Sequence, residues 1–114
     1  MGFVYSNPTE QSIVITARQL SQEFQSNQLR ADLQYIGKTL TVTGQFYRVF
    51  NISNVYYVDI TGTDIYYCVR VIFVPSELSN IVNFEPGQTV TIIGICDGLE
   101  NGHAVLIRNA RIVR

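Results

Sequence analysis

From Thr39 to Phe46 the chain reads Thr-Leu-Thr-Val-Thr-Gly-Gln-Phe, polar and apolar in strict alternation. That two-residue period belongs to a strand with one buried face. The preceding stretch follows a different rule. Leu20, Phe24, Asn27, Ala31 and Tyr35 recur at steps of four and three, which puts them on one face of a helix, and Leu29, Leu33 and Ile36 widen that face. Thr16 and Gln19 have the spacing of a capping box, and Gly37 suits the left-handed residue that ends a helix. The pattern predicts one helix over about Ala17 to Tyr35. Asn27 is the polar member of the stripe and is expected to bond a nearby backbone group, because a buried amide without a partner costs ~1–3 kcal/mol.

The extended pieces continue to the end of the chain. The first predicted strand runs from Thr39 through Val49, with Gly44 where a strongly coiled strand needs a bulge or a close backbone approach. Asn51-Ile52-Ser53-Asn54 is a turn, Val55 to Ile60 a second strand, Thr61-Gly62-Thr63-Asp64 a hairpin turn, and Ile65 to Val74 a third strand. Pro75 stops that strand, Ser76 is placed to cap a short helical turn through Ser79, and Pro86-Gly87 turns the chain into a fourth strand, Thr89 to Ile95. Asp97 to Gly102 reads as a loop, and Ala104 to Val113 as a fifth strand broken near Asn109. Helix, three strands, helical link and two strands is the order of a mainly β, five-stranded OB-fold Greek-key barrel with an N-terminal α-helix. An SH3-like small barrel is the rival, though it usually lacks a helical link of this size. Residues 1–14 form a tail or linker in this reading, and 15–114 a single domain.

Composition narrows the function. The 114 residues are 46% hydrophobic and 15% charged, which suits one packed globule and excludes a disordered chain. No apolar run approaches the ~20 residues of a membrane helix. Met1 to Pro8 lacks the basic flank and long apolar stretch of a signal peptide, so the chain as written is expected in the cytoplasm. If an export segment was trimmed away, the polar run from Ser6 to Ser12 would be a linker and the protein an envelope lipoprotein. Net charge is -1, with 8 basic and 9 acidic residues; nucleic-acid binders usually carry a basic excess, which disfavours that partner. Lys38 and seven arginines are spread along the chain rather than blocked. Cys68 and Cys96 match no zinc spacing and read as two small buried hydrophobes, with a disulfide as the alternative in an oxidising compartment.

Several segments together resemble the tRNA_anti-like family of small bacterial OB-fold domains. They are Leu20, Phe24, Asn27, Ala31-Asp32 and Tyr35-x-Gly37-Lys38 at the helix and its exit, Val42-x-Gly44 in the first strand, and Cys68 with Phe73 in the third. The last is Gly87-Gln88-x-Val90-x-Ile92-x-Gly94-x-Cys96-x-Gly98 in the fourth strand and the loop beyond. The similarity spans roughly Ile15 to Val113. It implies an OB fold, frequent export as a lipoprotein, and nucleic-acid binding by analogy with the anticodon-binding modules of tRNA synthetases. It implies no catalytic residue, and its matching positions are mostly glycines and apolar residues that serve the fold.

Candidate chemistry lies on the second and third strands, the face OB barrels use for single strands. Tyr47, Arg48 and Phe50 precede the first loop, Tyr56 and Tyr57 lie on the second strand, and Tyr66, Tyr67 and Arg70 on the third. Period two sets Tyr66, Cys68, Arg70 and Ile72 on one face, so an unpaired Arg70 is expected to face solvent with Tyr66 beside it. One of Tyr56 and Tyr57 must also point outward. A Tyr/Arg patch suits a protein or peptide partner; bases of single-stranded nucleic acid are the alternative. Asp59, Asp64 and Asp97 are expected to serve as turn residues, and the lone His103 as a solvated loop side chain. A Cys–His pair would need Cys68 or Cys96 within reach of His103 and an orienting third group. The reading is a binding module, not an enzyme, with no cofactor and no metal site.

Overall fold

The computed structural model describes residues 12–114. Six strands make one sheet: β1 (Ile13–Thr16), β2 (Thr39–Ile52), β3 (Val55–Ile60), β4 (Val69–Phe73), β5 (Thr89–Glu100) and β6 (Ala104–Ile112). Their order is β1-β2-β3-β4-β6-β5, and β2 also pairs with β5, which closes the ring. The first half of β2 pairs with β5 and the second half with β3. This sharing is what lets five strands close, and it needs a strand that coils sharply. Gly44 stands at the join: a Cβ there would lie 2.6 Å from Ile60 Cγ2 and 2.7 Å from Ala17 Cβ. The expected close approach is therefore real, while the register slip falls two residues later, between Phe46 and Arg48. Leu40, Val42, Val58, Ile60, Val69, Val71, Ile92 and Ile107 fill the barrel and are fully buried.

The structure departs from the expected elements in several places. Ile13 and Val14, placed in the leading tail by the sequence pattern, belong to β1, a parallel addition alongside the first half of β2. A four-residue strand carries too short a pattern to read without its partner. The single helix is two: α1 (Ala17–Ser26) and α2 (Gln28–Tyr35), broken at Asn27, whose φ of -160 is extended. The Asn27 carboxamide accepts from Arg30 N at 3.0 Å, so the residue caps α2 from an exposed position rather than lying buried in a stripe. The break turns α2, and Leu29, Leu33 and Ile36 point to solvent instead of widening the packed face. Thr16 caps α1 as expected, accepting from Gln19 N at 3.1 Å.

Farther along, β4 begins at Val69 rather than Ile65, because Asp64 Oδ1 accepts from both Tyr66 N and Tyr67 N and holds those residues in a turn. The link after β4 is a 3-10 turn (Pro75–Glu77) running into a short helix, α3 (Leu78–Ile81). Ser76 does not cap it; Glu77 takes the polar role, buried and accepting from Ile112 N, Asn80 Nδ2 and an Arg114 guanidinium nitrogen. Strand β5 continues through Glu100, where a loop was expected, with a register shift at Asp97. Ile81 and Phe84 pack on the core, where Phe84 meets Phe46 edge to face at 5.4 Å.

A neutralised aromatic face as candidate functional site

The β2–β3 hairpin turns on Ser53 and Asn54, both at positive φ (53 and 68), the geometry of a two-residue primed turn. Counting outward from that turn pairs Phe50 with Tyr57 and Arg48 with Asp59. The next strand extends the row, with Arg70 of β4 opposite Asp59. These side chains share the outer surface of the barrel, because Val58, Ile60, Val69 and Val71 between them point inward.

Charge on this face is cancelled. Arg70 donates to Asp59 through Nε at 2.8 Å and through a terminal nitrogen at 3.2 Å, and to Glu100 at 2.9 Å. Arg48 Nε donates to the other Asp59 oxygen at 3.0 Å. Asp59 is completely buried, and Arg70 nearly so. The Asp59 hydrogen bonds, with help from Glu100, push the Arg70 pKa upward against the desolvation that burial imposes, so its positive charge is permanent. Arg48 differs: half of its side chain is exposed, and its guanidinium lies 4.5 Å from the centre of the Phe50 ring. Phe50 also stacks on Tyr57, 5.4 Å between centroids and 17° between planes. The Arg70 guanidinium sits 5.0 Å from the same ring.

Of the expected site residues, the fold brings Arg48, Tyr57 and Arg70 together. Arg70 corrects its expectation, since it lies on the outer surface but is paired and buried. Tyr47 is the residue at the register slip, 38% exposed with its ring 5.9 Å from the Arg48 guanidinium. Tyr56 faces the other way, joining Val49, Leu78, Ile81 and Val82 around an apolar groove of about 290 Å³ between the hairpin and α3. Tyr66 lies off the strand and stacks on the His103 ring at 4.2 Å and 16°. So His103 is half-buried and packed, not simply solvated.

Asp59 and Glu100 were missed as members of the face, and Phe50, read only as preceding the first loop, is its central ring. Asp59 was taken for a turn residue, yet the hairpin count that pairs it with Arg48 was available once the turn was placed at Ser53-Asn54. Asp64 does serve a turn, and Asp97 instead receives Arg108 Nε at 2.9 Å. Both cysteines are free and buried, and burial pushes each thiol up to about 11. Among the described residues no helix is long and apolar enough to cross a membrane.

A ring shared by β2 and closed by β5, with an aromatic face on β2 to β4, defines an OB-type barrel. The chain belongs to the tRNA_anti-like family, whose pattern matches residues 3–110. Among solved structures it is similar to a "putative nucleic acid-binding lipoprotein" of Klebsiella pneumoniae subsp. pneumoniae, at 21% identity and TM-score 0.65 over 89% of this chain and 92% of that one. It is also similar to an OBody bound to hen egg-white lysozyme, at 18% identity and TM-score 0.52 over 71% of this chain and 83% of that one. RecG bound to a three-way DNA junction matches at 14% identity and TM-score 0.52, over 88% of this chain but 12% of that one. At these identities the likenesses establish the fold. No curated protein matches the chain.

Proposed function

We propose that this chain is a non-catalytic OB-type binding module that takes a protein or peptide partner on the outer face of β2, β3 and β4. The observation that carries the reading is the pairing of both cations on that face. Arg48 and Arg70 are each committed to a carboxylate. A nucleic-acid backbone gains affinity by meeting free cations and releasing its counterions, and this face offers none unpaired. What it presents is a stacked aromatic pair beside an arginine, next to a hairpin, Val49 to Tyr57, that contains no charged residue. Tyr, Phe and Arg with few charges is the composition of an interface core. The fold alone does not discriminate, since the same barrel appears in an OBody bound to lysozyme and in RecG bound to DNA.

A photo-crosslinking amino acid at Tyr57, compared with one at Arg111 on the opposite side of the barrel, tests this in cells. Protein adducts from position 57 that vanish in a Phe50→Ala background are expected. Absence of any protein adduct from position 57 overturns the reading.

A second reading has its own observation. Arg48 is half exposed over Phe50, and an aromatic ring with a cation beside it is a platform on which a base can stack. Fluorescence anisotropy with labelled single-stranded oligonucleotides at low salt decides between them. Saturable binding lost in Phe50→Ala and in Arg48→Ala would put single-stranded nucleic acid in place of a protein partner. No binding at high micromolar protein removes it.

A further inference from the structure

Strands β3 and β4 pair along only part of their length. Their ladder joins Val58 to Val71, Asp59 to Arg70 and Ile60 to Val69, and it stops there. The next rung, Tyr56 opposite Phe73, is not made. Past Val58 the strands part, and a cleft of about 320 Å³ opens in the fork, lined by Tyr56 from one strand, by Phe73 and Val74 from the end of the other, and by Leu78 of α3. It shares Tyr56 and Leu78 with the apolar groove between the hairpin and α3, so the two run on from each other.

The neighbouring ladders fix which way the main chain points in this fork. Residues flanking a two-residue primed turn exchange their hydrogen bonds, so Ile52 and Val55 bond each other, and by alternation Tyr57 and Asp59 also turn toward β2. Tyr56 therefore aims its N–H and C=O the other way, into the fork. On the facing strand, Val74 N donates to the Ala110 carbonyl at 3.0 Å, away from β3. Phe73, one residue earlier, must aim its own N–H and C=O toward β3. Among the described residues no strand pairs with either residue on that side. Native proteins guard open strand edges with Lys, Pro or a bulge. Pro75 guards the end of β4, but Val55-Tyr56-Tyr57 carries neither Lys nor Pro and pairs with β2 without a bulge.

We infer that the fork takes an extended segment of a partner protein as an added strand, hydrogen-bonded to the free edge of β3 at Tyr56. An extended chain is what presents N–H and C=O groups at the spacing a strand edge requires, and its successive side chains point to opposite sides. The side turned toward Val74 and Leu78 meets apolar groups, so alternate residues of the segment are apolar. None of the residues lining the fork is charged, nor is any in the hairpin from Val49 to Tyr57, so the segment is uncharged where it lies, since a charge there would be desolvated without a partner. This surface is the edge of β3, not the stack of Phe50 on Tyr57 on the outer face. The two readings involve different atoms and fail independently.

The test begins with hydrogen exchange in the free chain, where the Tyr56 and Phe73 amides should exchange fast and those of Val58 and Val71 slowly. Random linear peptides displayed on phage are then selected on the full chain, and the enriched sequences are synthesised as the probes. Sequences alternating apolar with uncharged polar residues are expected, and their binding should slow exchange at the Tyr56 amide. Methylating one peptide nitrogen of the probe should weaken binding by about tenfold at the residue seated in the fork, the worth of one hydrogen bond, and not at the probe's ends. Tyr56→Ala, at an exposed position, should weaken it by a similar factor. The inference is overturned by slow exchange of both fork amides in the free chain, by failure to enrich any peptide that binds saturably, or by an even response to methylation along the probe. It is also overturned by shifts confined to the Phe50 and Tyr57 rings, which would place the peptide on the outer face. Protection of Tyr56 that grows with protein concentration alone would make the occupant a second copy of this chain, and sinks it too.

Discussion

Arg70 lies directly across the ladder from Asp59, and its Nε reaches the Asp59 carboxylate at 2.8 Å where almost no water does. A buried pair of this kind adds little over a well-packed apolar pair, yet breaking it exposes an uncompensated charge to a dry environment.

Asp59→Asn keeps the volume and removes the charge, leaving Arg70 only its part-exposed carboxylate partner, Glu100. A loss of ~3–5 kcal/mol in urea or guanidinium unfolding is expected. Glu100→Gln, whose carboxylate is one-third exposed, should cost about 1 kcal/mol or less. Replacing both buried members, Asp59→Leu with Arg70→Met, should restore much of what Asp59→Asn loses. Equal costs for the Asp59 and Glu100 variants would show that burial is not what matters here.

Glu77 holds α3 to the chain's end. Its hydrogen bonds, that with Arg114 first, keep its pKa down at about 2 against an ordinary 4.5. A depressed value means the ionised form stabilises the fold. That stabilisation is complete above pH 4.5 and drains away as pH falls toward 2. Glu77→Gln should lower stability at pH 7 by roughly 2 kcal/mol, and the gap between variant and parent should narrow across that acid window. A gap that stays constant from pH 7 to pH 2 contradicts the assignment.

The break at Asn27 depends on one side-chain bond. Asn27→Ala should cost about 1 kcal/mol, while Asn27→Asp and Asn27→Ser, which can still accept from Arg30 N, should cost much less. Thermal melts followed by circular dichroism rank the three. If the alanine variant proves as stable as the others, the cap is not what holds the second helix.

Cys68 and Cys96 are sealed in the interior with thiols at about 11. Both should react with a thiol reagent at pH 8 only after denaturant is added. Rapid labelling of either in the native protein would show that the barrel opens where it is drawn closed.

Much of this architecture is legible from local pattern. The alternation from Thr39 to Phe46, the Thr16 cap, Gly44 at the tightest approach of strand to helix and Pro75 at the end of β4 are each decided by neighbours a few residues away. The Arg48–Asp59 pair was also within reach, because a two-residue turn at Ser53-Asn54 leaves only one register for its hairpin. Other features were not. β1 exists because the near half of β2 has an open side, and Ile13 to Thr16 carry no sign of it. Arg70 is bonded to Asp59 across a loop whose length does not set a register, and to Glu100 thirty residues away. Tyr66 stacks on His103 across a still larger gap.

The chain's own periodicity and punctuation therefore determined the order of the main helical and extended pieces and, along the strands, which side faces in, since those follow from backbone sterics and burial over a few residues. Beyond the Arg48–Asp59 pair of the tight hairpin, which outward-facing side chains meet was decided by the tertiary pairing of the strands. Non-local pairing sets that choice, and it turned a row of expected solvent-facing arginines and tyrosines into one cancelled ion cluster and two separate aromatic stacks.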